Sequence, residues 1–292
     1  MTSLQTARPA PRLRSPAQRR ADVTDAQLLH RGEHRTRLGP GRAVPAALAV
    51  GPLLLVALWL ITSQLGILDP RTLPHPFDIA RTAAELWSDG RLPANVAASL
   101  KLSLISLAIG VAAGLALALL AGLSRIGEAL VDGPIQIKRA VPTLAIIPLA
   151  IIWFGIGDTM KIVIIATSVL IPVYINTTAQ LKGVDLRHVE LAQTVGLSRV
   201  QFIRKVALPG ALPGFFTGLR LAVTISWTAL VVVEQVNATS GAAFRMTQAR
   251  SYGQLEVVVV GLVVYAVFGL AGDHLVRTIE RRALSWRRAL GG

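Results

Sequence analysis

The chain contains no cysteine, which excludes a disulfide frame and any thiolate metal site. Aromatic residues make up only 5% of it, too few for the base-stacking platforms of single-strand nucleic-acid binders. Acids are also scarce: 16 Asp and Glu stand against 30 Lys and Arg, for a formal charge of +14. A balance that basic raises the question of nucleic acid. Its distribution points elsewhere, because the basic residues gather between long uncharged runs, which is a membrane pattern. No Gly-x-x-x-x-Gly-Lys-Ser/Thr occurs, so there is no P-loop to cradle ATP phosphates. The five histidines show no metal spacing beyond His30-x-x-x-His34. His274 beside Asp273 reads as a solvated helix end, and no catalytic residue or metal ligand is assigned.

Apolar sequence is what the chain has in quantity, 52% of 292 residues. Residues 1–42 hold nine Arg against Asp22, Asp25 and Glu33, a composition that predicts a disordered arm. The arm is too long and too Arg-rich to resemble a secretory signal, and its charge suits anionic lipid. The first span runs from Ala43 to about Ser63, within a segment drawn as 43–69. Residues 70–95 form an external segment. It carries an amphipathic stretch with Phe77, Ala80, Ala84 and Trp87 at helical spacing, read as an interfacial helix. Val96–Leu123 is the second span, with Gly110 and Gly114 on a small-residue face and Lys101 placed to snorkel. Pro134–Gly157 is the third, interrupted by Pro142 and Pro148, and Met160 to about Ala179 the fourth. Leu208 to about Val236 is the fifth, with Gly210, Gly214 and Gly218 on one packing face. Leu255 to about Arg277 is the sixth. The transmembrane core is thus 96–280, followed by a basic tail, 281–292.

Charge sets the orientation. With the N-terminus inside, six crossings return the C-terminus inside, and twenty-two of the thirty basic residues fall in inside-facing segments. Both termini are therefore expected in the cytoplasm of a multi-pass plasma-membrane protein.

One inside-facing segment, 180–207, contains a polar interruption reading ELAQTVGLSRVQFIRKVALP from Glu190 to Pro209. Its pattern predicts two short helices meeting at Gly196, which can take the left-handed conformation. Ser198 is a candidate N-cap for the second helix, and Pro209 marks a boundary before the next apolar run. Along the fifth span, Thr217, Arg220, Thr224, Thr228 and Gln235 form a polar stripe, with Glu234 beside it. The stripe lines a solute path, or its hydroxyls bond neighbouring helices and their own backbone. Arg220 and Glu234 are costly at membrane depth, though both lie near enough to span ends to reach water. Arg139 and Arg220 either attract an anion or anchor spans at the inner surface.

Glu190-Leu191-Ala192, three residues, Gly196, nine residues and Val206-Ala207-Leu208-Pro209 resemble the EAA loop of ABC-importer permeases. In that pattern Leu191 stands for Ala and Val206 for Ile. Lys138–Ile162, LPHP at Leu73, TGLR at Thr217 and SWTALVVVE at Ser226 resemble the sulfonate, taurine and nitrate branch. The resemblance covers roughly 70–285, and departs from the branch at Ser240-Gly241-Ala242-Ala243-Phe244. It implies an all-α, six-span type I importer permease that pairs with a second copy and takes solute from an external binding protein. It also implies ATPase subunits as partners, which bind ATP and Mg, with no cofactor in this chain. Glu190, Leu191, Ala192, Gly196, Leu208 and Pro209 become the ATPase-coupling residues. Glu190 would orient the knob through a helix N-terminus or a basic partner, and Ala192 would keep the contact face small. A stand-alone secondary transporter or channel is the alternative, and an intramembrane enzyme a further one, although convergent ionisable groups within the spans are nearly absent.

Overall fold

The computed structural model describes residues 47–237 and 241–286, and every regular element among them is helical. The chain divides into two units, Met1–Leu58 and Trp59–Gly292. The basic arm, the His30 and His34 pair, residues 43–46 and the last six residues lie outside the described ones. The first helix, α1 (Ala47–Gln64), carries no Asp, Glu, Lys or Arg and holds Pro52 inside it.

α2 (Pro76–Ser88) is the expected amphipathic helix. His75 caps it through Nδ1, which accepts from the Phe77 N–H at 3.3 Å, and Pro76 suits the first helical position. Its buried residue is Ile79. Phe77 and Trp87, on the face expected to be apolar, are exposed, so the helix has one apolar edge toward the protein and another turned outward.

The bundle is built on α3 (Arg91–Leu123), α6 (Asp158–Lys182), α9 (Leu208–Asn237) and α11 (Leu255–Ala283). α6 is its axis, packed between α3 and α9. A Cβ added to Gly110 or Gly114 of α3 would meet the carbonyl oxygens of Ala166 at 2.5 Å and Leu170 at 2.7 Å. Gly214 and Gly218 of α9 approach Asn176 and Pro172 as closely, at 2.5 and 2.7 Å. Backbones this near gain packing contact that lipid cannot supply. Gly210, expected on the same face, meets nothing within 4 Å: a four-residue step drifts about 40° around the helix, which takes Gly210 off the seam. The paired positions rise together along α3 and α6, so these helices are parallel; along α9 they fall, so α9 is antiparallel to both. α11 is antiparallel to α9, with Asp273 beside Arg220 and Tyr265 beside Glu234.

Among the described residues four helices are long and apolar enough to span a bilayer: α3, α6, the run Arg199–Val236 and α11. The expected third span is not one straight helix. α4 (Arg125–Ala140) and α5 (Thr143–Phe154) meet at 106°, and count as a fifth crossing only if taken together. The break falls at Val141, extended at φ −86°, ψ 121°, because the ring of Pro142 disfavours helical geometry in the residue before it. Pro134–Ala140 thus belongs to α4, tied to α6 by the Tyr174 hydroxyl donating to Asp132 at 2.9 Å. Pro148 lies inside α5 without breaking it.

Candidate functional site

The polar interruption is a compact knuckle. α7 (Leu186–Thr194) opens on Asp185, whose carboxylate accepts from the Arg187 N–H at 2.9 Å. It closes on Gly196 at φ 71°. The Gly196 N–H donates to Gln193 O at 3.0 Å and the Leu197 N–H to Ala192 O at 2.9 Å, the paired bonds of a Schellman turn. α8 (Arg199–Phe202) starts from a reciprocal cap. Gln201 N–H donates to Ser198 Oγ at 3.3 Å, and Ser198 N–H to Gln201 Oε1 at 2.9 Å. Both expected helices, the glycine bend and the serine cap are present.

Pro209 is not a boundary. The helix passes from α8 through one π turn, Ile203–Ala207, into α9, with Leu208 N–H donating to Ile203 O. In α geometry the proline ring would crowd the carbonyl of Lys205, and the wider π turn gives it room. The knuckle's second helix and the long span are therefore a single rod of 38 residues.

Asp185 caps α7, so of the two partners expected for Glu190, a helix N-terminus or a basic group, the basic group is left. Glu190 lies mid-helix, exposed, and ion-paired with no described residue. Ala192 is 5% exposed, so its small side chain serves packing inside the chain. The outward apolar groups are Leu191, Val195 and Val200, each more than 60% exposed. Leu208 and Pro209 are half-buried at the root of the rod. The Arg199 guanidinium donates from Nη2 to Leu123 O at 3.0 Å, clamping the knuckle to the end of α3. Lys182 pairs with Glu128 at 2.9 Å, joining α6 to α4.

The polar residues of α9 separate onto two faces. Thr217, Thr224, Thr228 and Gln235 are exposed on one side of the rod. The three hydroxyls donate to carbonyls four residues back, those of Pro213, Arg220 and Thr224, at 2.9, 3.3 and 3.1 Å. Arg220 turns away and pairs with Asp273 at 3.1 Å, and the other oxygen of that carboxylate takes Arg277 at 2.7 Å.

Glu234, expected to reach water, is 2% exposed. Its Oε1 accepts from Ser99 Oγ at 2.7 Å, and its Oε2 from the Ala243 N–H at 3.0 Å and the Tyr265 hydroxyl at 3.1 Å. Ser99 Oγ also takes the Ala242 N–H at 2.9 Å, and Asn95 Oδ1 the Gly241 N–H at 3.1 Å. These bonds satisfy the N-terminus of α10 (Ala242–Ser251), so Glu234 fastens α3, α9, α10 and α11 together at the end away from the knuckle. Gly241 sits at φ 118°, where a Cβ would stand 2.5 Å from the carboxylate. Within the branch departure at 240–244, Gly241, Ala242 and Ala243 thus have a local packing reason.

Sequence reasoning did not find Ser99, Asn95, Tyr265 or the Ser103–Ser226 hydroxyl pair at 2.8 Å. A signal was available: Ser99, Ser103, Ser106, Gly110, Gly114, Ala118 and Ala121 form one small-residue stripe, all buried. Lys161, in the first turn of α6, is 4% exposed and bonded to Asp158 at 3.0 Å.

The described residues thus form an all-helical membrane-type bundle, with a capped knuckle that runs on into its longest rod. A family profile described as binding-protein-dependent transport system inner membrane component matches residues 106–285, and the chain belongs to that family. The chain is 40% identical over 248 residues to SsuC of Escherichia coli K12, named an aliphatic sulfonates transport permease, covering 85% of this chain and 93% of that one. SsuC of Bacillus subtilis 168 is 35% identical over 271 residues, covering 92% and 96%. The taurine permease TauC of E. coli K12 is 33% identical over 245 residues, covering 82% and 89%. A solved amino acid ABC transporter shares the fold at TM-score 0.55 and 22% identity, covering 64% of this chain and 92% of that one. The protein is the inner-membrane permease of an ABC importer, a transport subunit and not an enzyme. Such a permease works with ATPase subunits and a solute-binding protein.

Proposed function

We propose that two copies of this chain enclose the path of a small anionic solute: an aliphatic sulfonate, taurine, nitrate or a similar ion. The observation that carries this reading is the exposed face of α9. Thr217, Thr224, Thr228 and Gln235 lie exposed on one side of the rod, which no described helix covers. The hydroxyl bonds to the helix's own carbonyls are weak enough to re-aim, so each threonine can turn a donor toward a passing anion. The names of the relatives support the anionic class. Arg220 and Glu234 hold the rod in place from its other sides.

The knuckle is the coupling element, with both chain termini on its side of the membrane, in the cytoplasm. Leu191, Val195 and Val200 offer an apolar patch to an ATPase groove, and the carboxylate of Glu190, paired with no described residue, meets a basic group there. Partner ATPases bind ATP and Mg; when they close, the force enters at the Gly196 bend and tilts the continuous rod. The two copies then open to one side or the other.

The test uses proteoliposomes containing permease, ATPase and binding protein. Thr224→Leu and Thr228→Leu abolish uptake while the ATPase still docks; unchanged uptake removes the lining role. Thermal-shift screening of the cognate binding protein against sulfonates, taurine and nitrate names the solute.

A further inference from the structure

On the opposite side of α9 from its threonines, the structure holds a slot with no assigned occupant. It has a volume of about 360 Å³, within the range of small-molecule sites, and lies between α3, α9 and α11. Its walls are almost wholly apolar, among them Leu104, Val223, Leu275 and Ile279. Its polar groups are largely spent: Ser103 and Ser226 bond each other at 2.8 Å. Trp227 stacks on Phe268 at one end, with centroids 5.2 Å apart. Leu104 and Leu275 are more than half exposed.

Three observations choose the occupant. All three bordering helices are of spanning length and apolarity, so the medium at the mouth is hydrocarbon. The slot-facing and threonine-bearing sides of α9 differ by roughly 140° at 3.6 residues per turn, which aims the slot away from a partner copy meeting the threonine face. The third observation is charge. The slot face of α11 runs through Phe268, Ala271, Gly272, Leu275, Val276 and Ile279; its next position, three residues on, is Arg282. Arg281 adjoins it, Arg277 shares a single carboxylate with Arg220, and exposed Trp286 follows the helix end. Tryptophan and arginine at a span end are the anchors of a membrane interface.

We propose that this slot binds a phospholipid with an anionic headgroup, one acyl chain lying against Leu104 and Leu275 and the headgroup held by Arg282 at the knuckle end. The reading rests on the proposed pathway only for the direction of the partner copy.

Wild type and variants are delipidated, placed in nanodiscs of phosphatidylcholine with or without phosphatidylglycerol, and followed by thermal unfolding and native mass spectrometry. Wild type retains phosphatidylglycerol in preference to phosphatidylcholine. Arg282→Gln weakens that preference about five-fold, the roughly 1 kcal/mol expected of one basic residue beside anionic lipid. Ala271→Trp, at an exposed slot position, fills the slot and releases both lipids. Equal retention of the two lipids by wild type overturns the proposal, as does unchanged retention in Ala271→Trp. Because the chain has no cysteine, Leu275→Cys gives a clean further measurement. A disulfide between two copies through that position makes the slot a protein interface and also overturns the proposal. Unchanged uptake in the threonine variants removes the pathway reading, whereas the lipid preference of wild type is read independently of uptake.

Discussion

Gly196 is the position where the coupling idea can be tested most sharply. It sits at φ 71°, and a Cβ built there meets nothing within 4 Å. Any penalty on substitution is therefore backbone strain and not collision. An L-residue in the left-handed region costs about 1–2 kcal/mol, less for asparagine and more for a β-branched residue. That energy shifts the turn toward open forms by roughly 5- to 30-fold. The bonds at risk are Gly196 N–H to Gln193 O and Leu197 N–H to Ala192 O, which fix the angle between α7 and the rod. The assay reconstitutes permease, ATPase and binding protein in liposomes and measures ATP hydrolysed per solute taken up. This ratio rises in the order Gly196→Asn, Gly196→Ala, Gly196→Val, while membrane insertion and thermal unfolding stay near wild type. Wild-type coupling in the valine variant refutes the bend as the transmitting element. Equal damage from asparagine and valine refutes the conformational argument, since it makes side-chain bulk the cause.

Other outcomes follow from the same packing. Glu234→Ala removes acceptors from Ser99, Ala243 and Tyr265 at a buried site and lowers stability by about 3 kcal/mol or more, read as thermal unfolding in detergent; Glu234→Gln, which keeps the shape, loses less. Gly214→Leu and Gly218→Leu force α9 off α6 and cost about 1–3 kcal/mol each, whereas Gly210→Ala is close to neutral. Equal effects at Gly210 and Gly218 would contradict the seam. Arg199→Ala frees the knuckle from the Leu123 carbonyl and lowers uptake more than ATP hydrolysis in the reconstituted system. A Ser198→Cys variant reacts with an impermeant maleimide only in inside-out vesicles; labelling from the outer face would reverse the topology.

The sequence by itself determined the class, most of the helices and the knuckle, because each follows from local rules. Uncharged runs of spanning length must satisfy their backbone as helices, Gly196 is the residue that tolerates a left-handed turn, and Ser198 with Gln201 writes its own cap. Pro142 also announced a break, but not its 106° bend, which depends on what α4 and α5 pack against. Only the tertiary structure decided which face of α9 is covered. The stripe of threonines, Arg220 and Glu234 looks continuous along the chain, yet adjacent polar residues went to different jobs. Asp273 and Arg277 come from a helix some fifty residues away, and Ser99 from one 135 residues away. Helical period places a side chain on a face; whether that face meets carboxylate, lipid or a passing solute is set by neighbours distant in the chain. The same holds for Ala192 and Lys161, whose burial no local pattern encodes.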